Sequence, residues 1–221
     1  MLSVERFEFN PIWENTFVLW DETKECVIID AGNSTEQENR SICDFITSRH
    51  LKPVALLSTH GHCDHTAGIA YLKERFGIEW YCSFGDMTTI SKSEEMAHSF
   101  GWMSFHAATA DRDLSKMKKF TFGSTTLEVI PTPGHTPGGV AFFSKEDRIL
   151  FSGDTLFKES VGRTDLEGGD LHSLMHSIVD RLIKLGDDVS VFPGHGPEST
   201  IGHETMYNPY IVDALNHIFN Y

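Results

Sequence analysis

The chain is short of positive charge. Against 32 aspartates and glutamates it has 18 lysines and arginines, a net charge of −14 at pH 7 over 221 residues. A nucleic-acid partner calls for a basic footprint, and an anionic membrane surface does too, so neither is expected. An anionic small-molecule substrate would need a local positive centre, a cationic side chain or a metal, to offset the general field. Long apolar runs are also missing: no segment approaches the roughly 18 residues of a membrane span. The opening stretch "MLSVERFEFNPIWEN" lacks a basic segment followed by an apolar one, so no secretory signal is read there. Cysteine is scarce, four in all, and Cys26, Cys43, Cys63 and Cys82 form no C-x-x-C pair. Cys26 and Cys82 fall in strand-like segments and Cys43 on a helical face, which fits buried reduced thiols in a cytoplasmic protein.

What remains is an ordinary globular composition, with 40% hydrophobic and 23% charged residues. "SVERFEF", "NTFVLWD" and "ECVIIDAG" read as three short strands, the last ending in Asp30-Ala31-Gly32. "STEQENRSICDFITSRH" opens on a Ser/Thr cap and places Ile42, Phe45 and Ile46 at helical spacing. "PVALLSTH" has the apolar run of a strand covered on both faces. "TAGIAYLKERFG" reads as a helix stopped by Gly77, and "IEWYCS" as the next strand. Residues 83–116 read as a partly helical excursion, in which Met96, Phe100, Trp102, Met103 and Phe105 either pack down or line a pocket.

A second series of strands follows in "KKFTFGSTTLEVIPTPG", "GGVAFFSK" and "DRILFSGD", with hairpin turns at Gly123 and at Glu146-Asp147. "DLHSLMHSIVDRLIKLG" reads as an amphipathic helix ending at Gly186, "DVSVFPGHGP" as a strand entering a loop, and "NPYIVDALNHIF" as a terminal helix. The alternation of strands and helices favours an α/β fold. Two similar halves, without a linker or a clear repeat, suggest a single domain over 1–221 built as two sheets with helices outside.

The chemistry concentrates in "LLSTHGHCDHTAG", where His60, His62, Asp64 and His65 share six positions. Buried without partners, each would cost free energy, so they lie either in water or around something that binds them. Three more polar residues also follow short apolar strands: His135 in "PTPGHTPGG", Asp154 in "LFSGDTLF" and His195 in "VFPGHGPEST". Glycine and proline on either side let the backbone turn sharply while a side chain projects from a rigid edge. Five histidines and two aspartates at strand ends make an inventory for two divalent ions, since imidazole suits zinc, iron and similar metals and an aspartate can bridge two ions. His50, His98, His106, His172, His176, His203 and His217 stand outside this pattern and read as ordinary histidines.

"THGHCDH", "GHTPG", "SGDTLF" and "PGHG" together resemble the metallo-β-lactamase fold superfamily over Asp30 to His195. The resemblance implies a four-layer αββα sandwich, with His60, His62 and His135 on one ion, Asp64, His65 and His195 on the other, and Asp154 bridging. It places Asp30 behind the metal site. The best-known zinc β-lactamases carry cysteine where this chain has Asp154, and the superfamily's nucleases need a basic surface. "GDTLFKESVGRTDLEGGD" and "FPGHGPESTIGHETMYNPY" look instead like compact bacterial members of the glyoxalase II group, which hydrolyse hydroxyacyl-glutathione thioesters. The implied cofactors are two divalent ions, zinc foremost, with iron or manganese also accommodated. The implied mechanism is attack on the thioester by a metal-bridging hydroxide, with Asp64 receiving the proton and Asp154 holding both ions.

Several features depart from that group. The residues after His195 are too few for a separate C-terminal substrate-binding domain. Where full-length members carry a lysine and an aromatic residue, this chain has Arg163 and Asp165. Arg163 either clasps a substrate carboxylate or pairs with Asp165 or Asp170, and Lys158 is a second candidate source of positive charge. Cys63 sits between ligands, but alternation turns its side chain away from them. Two other functions remain open. One is a persulfide dioxygenase, with a single iron on His60, His135 and Asp154. The other is a metal-dependent binding or sensor domain with an inactive site.

Overall fold

In the computed structural model, which describes residues 1–102 and 105–218, alternating side chains along the central strands serve two cores at once. In β2 (Glu14–Trp20), Phe17 and Leu19 face one core and Val18 the other. β3 (Glu25–Ile29) repeats the pattern, with Val27 and Ile29 against Cys26 and Ile28. β4 (Lys52–Leu57) does the same with Ala55 and Leu57 against Leu56. Successive residues of a strand point to opposite faces, so a run that is apolar throughout needs cover on both sides.

That cover comes from four layers. β1 (Ser3–Phe9), β2, β3, β4, β5 (Glu79–Cys82) and β6 (Arg112–Asp113) form one sheet in that order. The second sheet runs β14 (Ser199–Thr200), β13 (Ser190–Pro193), β10 (Ile149–Gly153), β9 (Val140–Ser144), β8 (Thr125–Pro131) and β7 (Lys119–Phe122). The inner faces meet in one apolar cluster, where Phe17 of the first sheet packs edge-on against Phe151 of the second. On the outer face of the first sheet lie α1 (Glu36–Ser48) and α3 (Ile69–Phe76), through Ile42, Ile46, Ile69 and Leu72. On the outer face of the second lie α5 (Leu171–Ser177), α6 (Ile201–Tyr207) and α7 (Pro209–Ile218), through Leu174, Ile201 and Ile211. This is the expected αββα sandwich.

Local signals account for several element ends. Thr35 caps α1 in a reciprocal capping box with Glu38, and Gly77 ends α3 in the left-handed conformation, φ 64°. The turn between β7 and β8 passes through Gly123, φ 50°.

Elsewhere the structure departs from the sequence reading. The helix expected over 66–77 is broken into α2 (Cys63–Thr66) and α3. The Gly68 amide donates to Ala31 O (2.7 Å) and Asp64 O accepts from Asn10 Nδ2 (3.1 Å), so a helical ladder bond is given up to tie the histidine loop to β3 and β1. The helix expected to run evenly to Gly186 widens into a π-turn over Ile178–Leu182 and tightens over Ile183–Leu185. Leu174, Ile178 and Leu182 recur every four residues, and the wider turn keeps all three on the buried face.

The 83–116 excursion contains α4 (Met87–Ser99), from which Met96 packs with Trp102 and Phe105 while Phe100 stays exposed. Met103 lies outside the described residues, as does Phe219 of the expected terminal helix. β6, β14, α6 and a small hairpin of β11 (Leu156–Phe157) and β12 (Ser160–Val161) were not legible in the sequence. All four cysteines are unpaired and buried. No described helix is long and apolar enough to cross a membrane.

Candidate metal centre

All seven residues singled out above meet at one end of the sandwich, where strands of both sheets terminate. His60, His62, Asp64 and His65 follow β4. His135 follows β8, Asp154 follows β10 and His195 follows β13. Each side chain therefore sits within a few residues of a buried strand, on an edge that packing holds rigid.

Two clusters of donors result. His60, His62 and His135 bring one ligating atom each to within 4.8 Å of one another, and so do Asp64, His65 and His195. His62 Nδ1 lies 2.9 Å from His135 Nε2, and His195 Nε2 lies 3.1 Å from Asp64 Oδ2. Asp154 stands between the clusters. Its Oδ1 is 3.3 Å from His65 Nε2, while its Oδ2 is 3.5 Å from His135 Nε2 and 3.6 Å from His195 Nε2.

The donor set fits divalent metal ions on an observation of its own. His60 Nε2 and Asp154 Oδ1 are buried and accept or donate no hydrogen bond. A buried polar atom left in that state is costly, and coordination would satisfy it. Neutral imidazoles with carboxylates are the ligands zinc and iron accept.

The opposite ring nitrogens are anchored. His60 Nδ1 lies 3.0 Å from Thr59 Oγ1, and His135 Nδ1–H donates to Arg163 O at 2.8 Å. His195 Nδ1–H reaches the carbonyls of Ile12 (3.1 Å) and Trp13 (3.2 Å). His65 Nδ1–H points at Asp30 Oδ2, 3.0 Å away. Such partners fix ring orientation and tautomer. Asp30 forms a third group with His60 and His65 by distance alone, but its oxygens are already engaged by the Thr59 amide (2.7 Å), the Thr59 hydroxyl (2.6 Å) and His65. It holds its place in the left-handed region, φ 52°, a conformation aspartate tolerates better than most residues. Asp30 thus bonds to His65 and to Thr59, the residue before His60.

Electrostatics favour the ligating forms of His60, His62, Asp64 and Asp154, and the protonated forms of His65 and His195. Burial drives His60 well below the usual histidine range, with its imidazole neighbours adding to the effect. Burial, then His135, brings His62 down to about 4. Burial opposes ionisation of Asp64 and Asp154, but His65 outweighs it, helped by His195, and holds both carboxyls well below normal. Burial would also lower His65, yet Asp64, Asp154 and Asp30 together raise it.

Three supporting residues escaped the sequence reading. Asp86, at the start of α4, accepts from the Gly61 amide, the Thr136 hydroxyl and the Gly138 amide, tying the loop of His60 and His62 to that of His135. Burial pushes its carboxyl up, against those hydrogen bonds. Glu14 is fully buried 3.9 Å from His65 Nδ1, and burial raises its carboxyl well above the ordinary value. Asn15 clamps the loop of His195: its amide donates to Gly194 O (2.7 Å) and its Nδ2 to Pro193 O and Gly196 O (2.9 Å each). Position 194 must be glycine, since a Cβ there would fall 2.3 Å from Asp154 Oδ1. Nothing in the local sequence marked Asp86, Glu14 or Asn15, because each acts across the fold.

The two expected substrate residues are placed differently. Arg163 donates to both oxygens of Asp165, at 2.7 and 2.8 Å, the pairing that one of its two readings expected. Lys158 is exposed between β11 and β12 and forms no ion pair among the described residues. Cys63 turns away from the ligands into an apolar cluster with Ala97 and Phe105, where burial pushes its thiol up to about 12. Among the histidines read as ordinary, His176 and His203 bond to Asp180 and Glu159 at the surface.

Comparison with known proteins agrees with this geometry. A family model described as the metallo-beta-lactamase superfamily matches residues 14–195. Hydroxyacylglutathione hydrolase GloC of Haemophilus influenzae is 34% identical, over 95% of this chain and 98% of its own. The crystal structure of BLEG-1 B3 metallo-beta-lactamase superposes with a TM-score of 0.86 at 33% identity, covering 96% of this chain and 99% of that one. The crystal structure of TTHA1623 in a di-iron-bound form gives 0.82 at 31% identity, covering 94% and 100%.

Proposed function

The chain belongs to the metallo-β-lactamase superfamily of metal-dependent hydrolases, and we propose that it hydrolyses a thioester such as an S-(hydroxyacyl)glutathione at a dinuclear centre. The carrying observation is the pair of donor clusters joined by Asp154, with His60 Nε2 and Asp154 Oδ1 buried and unsatisfied. His60, His62 and His135 would hold one ion, Asp64, His65 and His195 the other, and Asp154 both. Zinc suits these ligands, and iron is equally compatible in view of the di-iron relative. Bound there, such ions supply an acidified water and polarise a carbonyl oxygen.

The chain's own residues do the rest. Thr59, Asp30 and the Arg163 carbonyl keep the imidazole lone pairs aimed inward. Asp64, ionised at neutral pH, receives the proton released as water adds to the thioester carbonyl. The departing thiolate has an ordinary pKa near ~8.5, so no separate acid is required. The 34% identity to GloC favours a hydroxyacyl-glutathione, and four unpaired thiols favour a reducing, cytoplasmic setting.

The test joins elemental analysis of protein purified without chelator to hydrolysis of S-lactoylglutathione. About two ions per chain with thioester turnover is the expected result. One iron with oxygen consumption would replace the proposal with the dioxygenase. Two ions with no thioester turnover would also end it. A second reading, opening of a β-lactam amide, is favoured by the similarity to the B3 metallo-beta-lactamase BLEG-1; a chromogenic cephalosporin assayed beside the thioester separates the two.

A further inference from the structure

Beside the ligand cluster, and sharing His62 with it, lies a cavity of about 240 Å³. One wall is α4, with Thr88, Thr89 and Lys92; the other is the segment after β12, with Leu166 and Glu167. An ion pair joins the walls: Lys92 Nζ lies 2.6 and 2.5 Å from the two oxygens of Glu167. The partners are 75 residues apart in sequence and both largely exposed. So exposed a pair contributes little to stability, and a ligand can exchange with it at little cost.

The pairing narrows what fits. A plain anion taking Lys92 would strand the Glu167 carboxylate beside it, in a protein already at −14. A plain cation would strand Lys92. An α-amino-acid end carries both charges, so each protein group trades one partner for another and the charge balance is kept. The threonine hydroxyls offer hydrogen bonds to its carboxylate, and Leu166 covers a methylene stem. His62, shared between the cavity and the donor cluster, places the two side by side.

We propose that this cavity binds the free α-amino-acid end of the substrate's thiol, its carboxylate on Lys92 and its ammonium on Glu167. This rests on the thioester reading above, and it assigns to α4 and the 164–168 segment the recognition expected of Arg163 and Lys158.

The test is calorimetric binding to the metal-loaded protein of three unreactive ligands: S-methylglutathione, its N-acetyl form and its α-carboxamide. Lys92→Met should weaken S-methylglutathione about tenfold, the loss of one charge-assisted contact, and barely affect the carboxamide. Glu167→Gln should weaken S-methylglutathione comparably and leave the N-acetyl form unchanged. The wild type should also hydrolyse a neutral S-acetyl thioester, and both variants should raise KM for S-lactoylglutathione more than they lower kcat. Equal weakening of all three ligands, no weakening, or no binding to the wild type overturns the assignment. The hydrolase reading survives those results if the neutral thioester is still cleaved. Charge-matched binding without cleavage of any thioester would sink the hydrolase and leave the cavity as an amino-acid site.

Discussion

Asp86 Oδ1 accepts a 2.6 Å hydrogen bond from the Gly138 amide, while its other oxygen holds Gly61 and Thr136. One buried carboxylate thereby sets the spacing between two ligand loops that come from different sheets. In Asp86→Asn an amide NH2 would face at least one of those donors. A buried donor so confronted costs about 1–3 kcal/mol. Thermal unfolding should register that loss, and metal content and thioester rate should fall together. A variant with unchanged stability and full metal would show that the loops are spaced by other contacts.

Asp154 lies between the clusters, its Oδ1 3.3 Å from His65 Nε2 and its Oδ2 3.5 Å from His135 Nε2. Asp154→Ala should retain less than half the metal of the wild type and almost none of the hydrolase rate, with the fold intact by circular dichroism. Two ions and a normal rate in the purified variant would remove Asp154 from the centre.

Arg163 contributes through its backbone carbonyl, which orients His135, while its guanidinium pairs with Asp165 at the surface. An exposed ion pair of this kind is worth about 0–1 kcal/mol. Arg163→Ala should therefore change KM for an anionic thioester by less than about fivefold, the equivalent of that energy. A much larger effect confined to anionic substrates would return the residue to substrate binding.

Asp21, just after β2, accepts hydrogen bonds from Thr23, Ser124 and Thr125 and so links the two sheets at the end away from the metal centre. Burial opposes its ionisation, but these bonds outweigh it and hold the carboxyl well below the usual range. With the folded value depressed, the stabilisation is complete above the ordinary carboxylate pKa of ~3.9 and disappears as pH falls through the folded value. Asp21→Asn should then be least stable relative to wild type near neutrality, the gap in melting temperature narrowing below about pH 4. A gap that stays constant with pH would show that charge plays no part.

Much of this was legible in one dimension. The strands around Val27, Leu56 and Phe142 were readable because period-two burial leaves continuous apolar runs, and α1 because Thr35 and Glu38 form a capping box within four residues. The seven candidate donors were readable because each stands at the end of such a strand in a glycine-bearing loop. The broken helix at Gly68 was not, since its missing bond goes to Ala31.

By itself, then, the sequence determined the strand and helix alternation, the donor inventory and the acidity of the surface, all of which follow from short-range patterns and composition. The tertiary structure alone decided that Asp154 lies between the clusters, that Asp86 and Asn15 clamp loops belonging to other strands, and that Lys92 meets Glu167 beside His62. Those relations are set by how two twisted sheets pack against each other, and packing joins residues with no local signal in common.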